Sequence, residues 1–136
     1  EMKRLLLFVV LTIAALTLAA CGGASGPSTT IDVTFTDFQF TPNSYIIPAG
    51  QEITLKATNN GAVVHEFVIM KLGTTVGDDF GDEDKGNIYW QVEVDPGASK
   101  SVTFTAPPDA GEYQVVCGTP GHFMAGMVAS LTVVAP

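Results

Sequence analysis

Short apolar–polar alternations, each cut off by a turn signal, recur from Ile31 to the end of this 136-residue chain, and they most constrain its fold. Ile31, Val33 and Phe35 alternate with Asp32, Thr34 and Thr36, and Phe38 and Phe40 carry the pattern on around Asp37 and Gln39. Tyr45-Ile46-Ile47 stops at Pro48-Ala49-Gly50. Ile53, Leu55 and Ala57 alternate with Glu52, Thr54 and Lys56. Asn59-Asn60-Gly61 is a strong turn signal. Runs over 63–70, 88–94, 101–105, 112–117 and 127–134 complete the set, punctuated by Gly97, Pro107-Pro108 and Gly111. A period of two sends successive side chains to opposite faces of a strand. No stretch sustains three turns of helical amphipathicity. Seven or eight such strands predict one all-β domain over 31–136, a sandwich or a barrel. Residues 73–87 fit least, with Asp78, Asp79, Asp82, Glu83 and Asp84 set among Gly77, Gly81 and Gly86. They read as a solvated loop with room for a short helical turn, or as an acidic docking patch.

Ahead of this domain, residues 1–21 read as an export segment. Lys3 and Arg4 precede an apolar run from Leu5 to Leu18, and Leu18-Ala19-Ala20-Cys21 has the small residues of a lipoprotein cleavage site. An uncleaved membrane anchor is the rival. Residues 5–20 would span about 24 Å as a helix, short of a ~30 Å hydrocarbon core. Both readings tether the domain to the outer face of the cell membrane, through a lipidated Cys21 or through the helix. Residues 22–30, Gly-Gly-Ala-Ser-Gly-Pro-Ser-Thr-Thr, are expected to act as a flexible tether reaching roughly 15–18 Å.

From Cys21 onward the chain has four Lys, no Arg and thirteen Asp plus Glu, a net charge of −9. Phosphate affinity needs Lys and Arg, so this balance argues against nucleic-acid binding. It suits a basic protein partner, or simply keeps an exported protein soluble. A Cys21–Cys117 disulfide would tie a flexible tail to a buried loop, and each cysteine has a better-specified role.

The chemistry concentrates in Cys117-Gly-Thr-Pro-Gly-His122-Phe-Met-Ala-Gly-Met127. A thiol, an imidazole and a thioether lie on one loop, with four residues between each pair. His65 is the only other histidine. On a strand it shares the apolar face with Val63, Phe67 and Ile69, while Glu66 faces away. A lone histidine there is most often a hydrogen-bonded core residue, but its company points to a ligand. One cysteine, two histidines and a weak axial methionine form the donor set of a blue-copper electron-transfer site. Met127 is preferred to Met124, which follows His122 too closely for the chain to bend around an ion. Zinc sites favour four strong ligands, often with a Cys-x-x-Cys spacing absent here. Pro120, Phe123 and Met124 make an apolar rim around His122 with no acid or base, so no enzyme is expected. No further histidine exists to build a second copper site.

These pieces, with Asp109-Ala110-Gly111-Glu112-Tyr113 and Leu131-Thr132-Val133, resemble the cupredoxins of the plastocyanin/azurin superfamily, and the auracyanins most. The resemblance implies a Greek-key β-sandwich with one type 1 copper at one end. It implies His65, Cys117 and His122 as equatorial ligands, Met127 as the axial one, and Asn60 as a steadying neighbour. In some relatives the carbonyl before the first histidine, here that of Val64, is a distant fifth ligand. Tyr113 resembles the tyrosine corner of such sandwiches. The implied role is a monomeric one-electron shuttle from a quinol-oxidising complex to a cytochrome or reaction centre. An exported copper carrier or store, and a redox-silent interaction module, remain as alternatives.

Overall fold

The computed structural model describes residues 26–136, so the export segment 1–21, Cys21 and the first part of the 22–30 tether lie outside the described residues. The described residues form nine strands: β1 Thr30–Thr36, β2 Gln39–Thr41, β3 Ser44–Pro48, β4 Glu52–Asn59, β5 His65–Met70, β6 Ile88–Val94, β7 Ser99–Thr105, β8 Gly111–Val116 and β9 Val128–Val134. They make two sheets, ordered β2-β1-β4-β7 and β3-β9-β8-β5-β6. The pairs β1/β4 and β3/β9 are parallel, and the remaining neighbours are antiparallel. This is the sandwich of the two all-β folds the alternations allow, and the one the resemblance implies. The chain already runs along it at Ser28, whose N–H bonds the Ile46 carbonyl at 2.9 Å. Among the described residues, no helix is long and apolar enough to cross a membrane.

One more strand is present than the seven or eight expected, because the first alternation breaks. Thr36 pairs with Gln39 across a two-residue turn, Asp37-Phe38, and Phe38 adopts a positive φ of 67°. Its ring leaves the inward face and is half exposed, while Phe35 and Phe40 stay buried. A hairpin this tight requires left-handed backbone, which a bulky residue adopts only at a cost.

The inward faces mesh as the period demands. Ile53, Leu55, Ala57 and Asn59 of β4 are buried, as are Ala129, Leu131 and Val133 of β9. Phe67 sits at the centre, stacked on Phe35 at 6.4 Å and edge-on to Phe40 and Tyr45 at 5.6 and 5.7 Å. Alternation fails on β5, where Val68 and Met70 are buried as well as Phe67 and Ile69. Their outer face is covered by Val76, Phe80 and Phe123. Residues 73–87 are therefore not merely a solvated loop. They fold over the five-stranded sheet, pinned by the Val76 N–H donating to Gln114 Oε1 at 2.7 Å, and contain the short helical turn, Lys85–Asn87. Tyr113 donates its hydroxyl to the Asp109 carbonyl at 2.8 Å, four residues upstream, which is the tyrosine-corner contact.

Truncating the central ring exposes what this packing is worth. Phe67→Ala should cost about 3–5 kcal/mol, through lost transfer energy and a residual cavity. Urea unfolding of the metal-free protein checks it.

Candidate metal centre

His65 opens β5, and Cys117 follows the end of β8. These strands pair antiparallel, with Val68 opposite Val116 and Ile69 opposite Val115. That register brings the end of β8 beside the start of β5. Cys117 is a free, fully buried thiol whose sulfur accepts the Glu66 N–H at 3.4 Å. The loop to β9 then doubles back on itself. His122 N–H bonds Thr119 O at 3.0 Å, Met127 N–H bonds His122 O at 2.9 Å, and Cys117 N–H bonds Met127 O at 3.2 Å. Gly121 and Gly126 take positive φ values of 79° and 99°, which side-chain-bearing residues rarely adopt. So the loop's ends are tied together and His122 is carried back over Cys117.

The result is a triangle of donor atoms. Nδ1 of His65 and Nδ1 of His122 are 3.1 Å apart, and the Cys117 sulfur lies 3.8 and 3.6 Å from them. A point equidistant from the corners of such a triangle is about 2.0 Å from each, the bond length of an imidazole–metal contact. His65 and Cys117 are fully buried, and His122 nearly so. Burial, then the neighbouring His65, pushes the His122 pKa down against the opposing pull of Asp37 and Asp79. That direction favours the neutral ring, the form in which an imidazole binds a metal. The two candidate methionines separate cleanly: Met127 is fully buried, whereas Met124 is 68% exposed. Two imidazoles, a thiolate and a soft thioether fit copper better than zinc.

The steadying amide is Asn59, which continues the inward face of Ile53, Leu55 and Ala57, and not Asn60, which is exposed. Fully buried Asn59 donates to Val63 O at 2.8 Å and Val94 O at 2.9 Å, and accepts the Gly61 N–H at 2.8 Å. It thereby holds the 60–64 loop that leads into His65. Thr119 Oγ1 donates to the Val64 carbonyl at 2.9 Å, joining that loop to the Cys117 loop. The apolar rim also differs. Phe123 turns inward against Val68 and Met70, and Phe38 lies edge-on to His122 at 5.0 Å in its place. The positive φ at Phe38 that breaks the alternation is what puts the ring there, and no periodicity argument could find it.

The acidic segment divides. Asp79 Oδ2 accepts the Gly121 N–H at 3.0 Å, bracing the Cys117–Met127 loop. Asp84 is buried and accepts the Gly81 N–H at 3.0 Å. Asp82 pairs with Lys85 at 2.6 Å in the open. Only Asp78 and Glu83 are exposed without such a role. Glu66 adds a carboxylate that packs against Gly118, where a β-carbon would collide with it. Burial, then Glu93 opposite it on β6, raises the Glu66 pKa, and Lys85 partly offsets this.

A family model for the cupredoxin-like domain matches residues 5–130, and the chain belongs to that family. Two relatives give its similarity more finely. Auracyanin-A of Chloroflexus aurantiacus is 32% identical over 88% of this chain and 91% of its own length. The copper-resistant cuproprotein CopI of Rubrivivax gelatinosus is 32% identical over 82% of this chain and 70% of its own. The crystal structure of dithionite-reduced auracyanin from Roseiflexus castenholzii superposes with a TM-score of 0.67 at 30% identity, covering 80% of this chain and 99% of that one. Fold, donor triangle and relatives together point to a blue-copper electron-transfer cupredoxin.

Removing the buried amide should loosen the site from outside. Asn59→Ala should destabilise the metal-free protein by about 1–3 kcal/mol, because the buried Val94 carbonyl and the part-buried Val63 carbonyl lose their donor. Thermal and urea unfolding measure the loss.

Proposed function

We propose that this chain is a membrane-tethered type 1 copper protein that carries single electrons. The observation that carries this reading is the closed donor triangle: two Nδ1 atoms 3.1 Å apart with the Cys117 sulfur within 3.8 Å of both. His65, Cys117 and His122 would hold the copper as strong ligands, and Met127 would add a weak thioether donor. A copper ion held there supplies a one-electron couple. The residues around it keep water out and hold the donors still. Phe35 lies edge-on to His65 at 6.3 Å, the Glu66 N–H holds the sulfur, and the tied loop carries His122. A site that does not rearrange between oxidation states has little reorganisation to overcome. His122 lies nearest the surface of the three, so electrons enter and leave past its ring and Phe38.

The similarity to auracyanins supports a role between a quinol-oxidising complex and a cytochrome or reaction centre, on the outer face of the cell membrane. The anchor is a lipidated Cys21 or an N-terminal helix, with the part of 22–30 ahead of Ser28 as the tether. The shuttle is a monomer. The net charge of −9 from Cys21 onward supports a basic partner.

Similarity to a copper-resistant cuproprotein favours a second reading, an exported copper carrier or store. Such a protein must release its ion readily. Enclosed ligands argue for retention instead.

The full chain loaded with Cu(II) should show intense thiolate-to-copper colour and a narrow copper hyperfine splitting in EPR. Cys117→Ser should abolish both. A colourless protein with ordinary Cu(II) signals would move the carrier reading forward. Electron transfer to a cationic cytochrome should also slow as ionic strength rises, because screening weakens attraction beyond about 8–10 Å at 0.1–0.15 M salt. Stopped-flow rates across a salt series test this, and a flat series would remove the basic partner.

A further inference from the structure

Asp37 belongs to no ligand motif, yet its carboxylate reaches the donor triangle from behind. Oδ1 accepts the backbone N–H of Ala62 at 3.0 Å and lies 3.3 Å from Nε2 of His65. The His65 side chain is fully buried, whereas that of Asp37 is 46% exposed, so the pair bridges core and surface. Gly61 makes the approach possible. A β-carbon there would lie 2.5 Å from both Asp37 Oδ1 and His65 Nε2, closer than real side chains come.

The contact decides which nitrogen of His65 carries its proton. An ionised carboxylate only accepts, so the ring atom facing it must be the N–H. With the proton on Nε2, Nδ1 keeps its lone pair, and Nδ1 is the atom 3.8 Å from the Cys117 sulfur and 3.1 Å from Nδ1 of His122. A carboxylate behind a ligand imidazole fixes its orientation and raises its basicity. Its negative charge also favours the more positive oxidation state of a nearby ion.

The geometry points to Asp37 as a positioning residue of the metal centre. It sets the tautomer and orientation of His65, and through its charge it biases the bound couple toward the oxidised state. The redox half rests on the copper reading above; the tautomer half does not. The competing account is that Asp37 only supports the 60–64 loop through Ala62.

Asp37→Ala and Asp37→Asn separate these accounts in the full-length protein. In the metal-free protein at mildly alkaline pH, nitrogen-15 NMR of the His65 ring should show a protected Nε2–H. Asp37→Ala should lose that protection. Asp37→Asn should keep it, because the amide oxygen still accepts. In the copper-loaded protein, both variants should stay blue. At fixed poise each should raise the Cu(I)/Cu(II) ratio about tenfold, which is 59 mV for a one-electron couple. Asp37→Ala should also weaken Cu(II) binding about 10–100-fold. Should Asp37→Ala melt early, Asp37→Ser, too short to reach the ring, replaces it. Unchanged ring-proton protection and an unchanged ratio in Asp37→Ala would overturn the proposal and leave Asp37 a loop support. A colourless wild type with the ring-proton result intact would overturn the copper reading and leave the positioning role standing.

Discussion

Holding three electron-pair donors against one another inside an apolar sandwich is the constraint on which the rest of this structure depends. The two Nδ1 atoms are 3.1 Å apart, and the Cys117 sulfur is within 3.8 Å of each. The two nitrogens lie within hydrogen-bond distance of one another and the sulfur accepts the Glu66 N–H, so these buried polar atoms find partners only in one another and in the backbone. The arrangement persists because each donor is held by backbone that has little freedom to relax. His65 is held by β5, which is paired on both sides by β8 and β6, Cys117 by its bonds with Met127 and Glu66, and His122 by a loop whose two ends are bonded together.

The supports converge from sequence-distant segments. Asn59 ties the end of β4 to the 60–64 loop and to the last residue of β6. Thr119 ties the same loop to the Cys117 loop. The two-residue turn between β1 and β2 touches both histidines, with Asp37 against His65 and Phe38 against His122. One strained turn at the edge of one sheet thus braces ligands supplied by the other sheet. Residues 71–87 do comparable work outside the five-stranded sheet. They bury Val68 and Met70, and Asp79 bonds Gly121 in the ligand loop. Part of the chain's acidity is therefore structural, and what faces a partner is smaller than a count of carboxylates implies.

Much was legible in the chain itself. Its alternations and turn residues determined an all-β domain, because a period of two is compatible with little else, and left sandwich or barrel open until the resemblance pointed to a sandwich. The types and spacing of Cys117, His122 and Met127, with a single other histidine at 65, singled out a copper donor set. Met127 was preferred to Met124 for the room the chain needs to turn; in the fold Met127 is buried and Met124 exposed. What tertiary structure alone decided is which neighbours act on those donors. Asn59 continues the inward face of Ile53, Leu55 and Ala57, but only the packing of the 60–64 loop and β6 decides which carbonyls it holds. Phe38 swings out and Phe123 in because one sits in a positive-φ turn and the other packs on an outer face that a distant loop covers. Asp37 meets His65 only because β1 and the loop after β4 are brought together at Gly61. Local pattern reports the direction a side chain takes from its own strand. Contacts between segments far apart in the chain arise from sheet register and loop packing, and no local pattern carries that information.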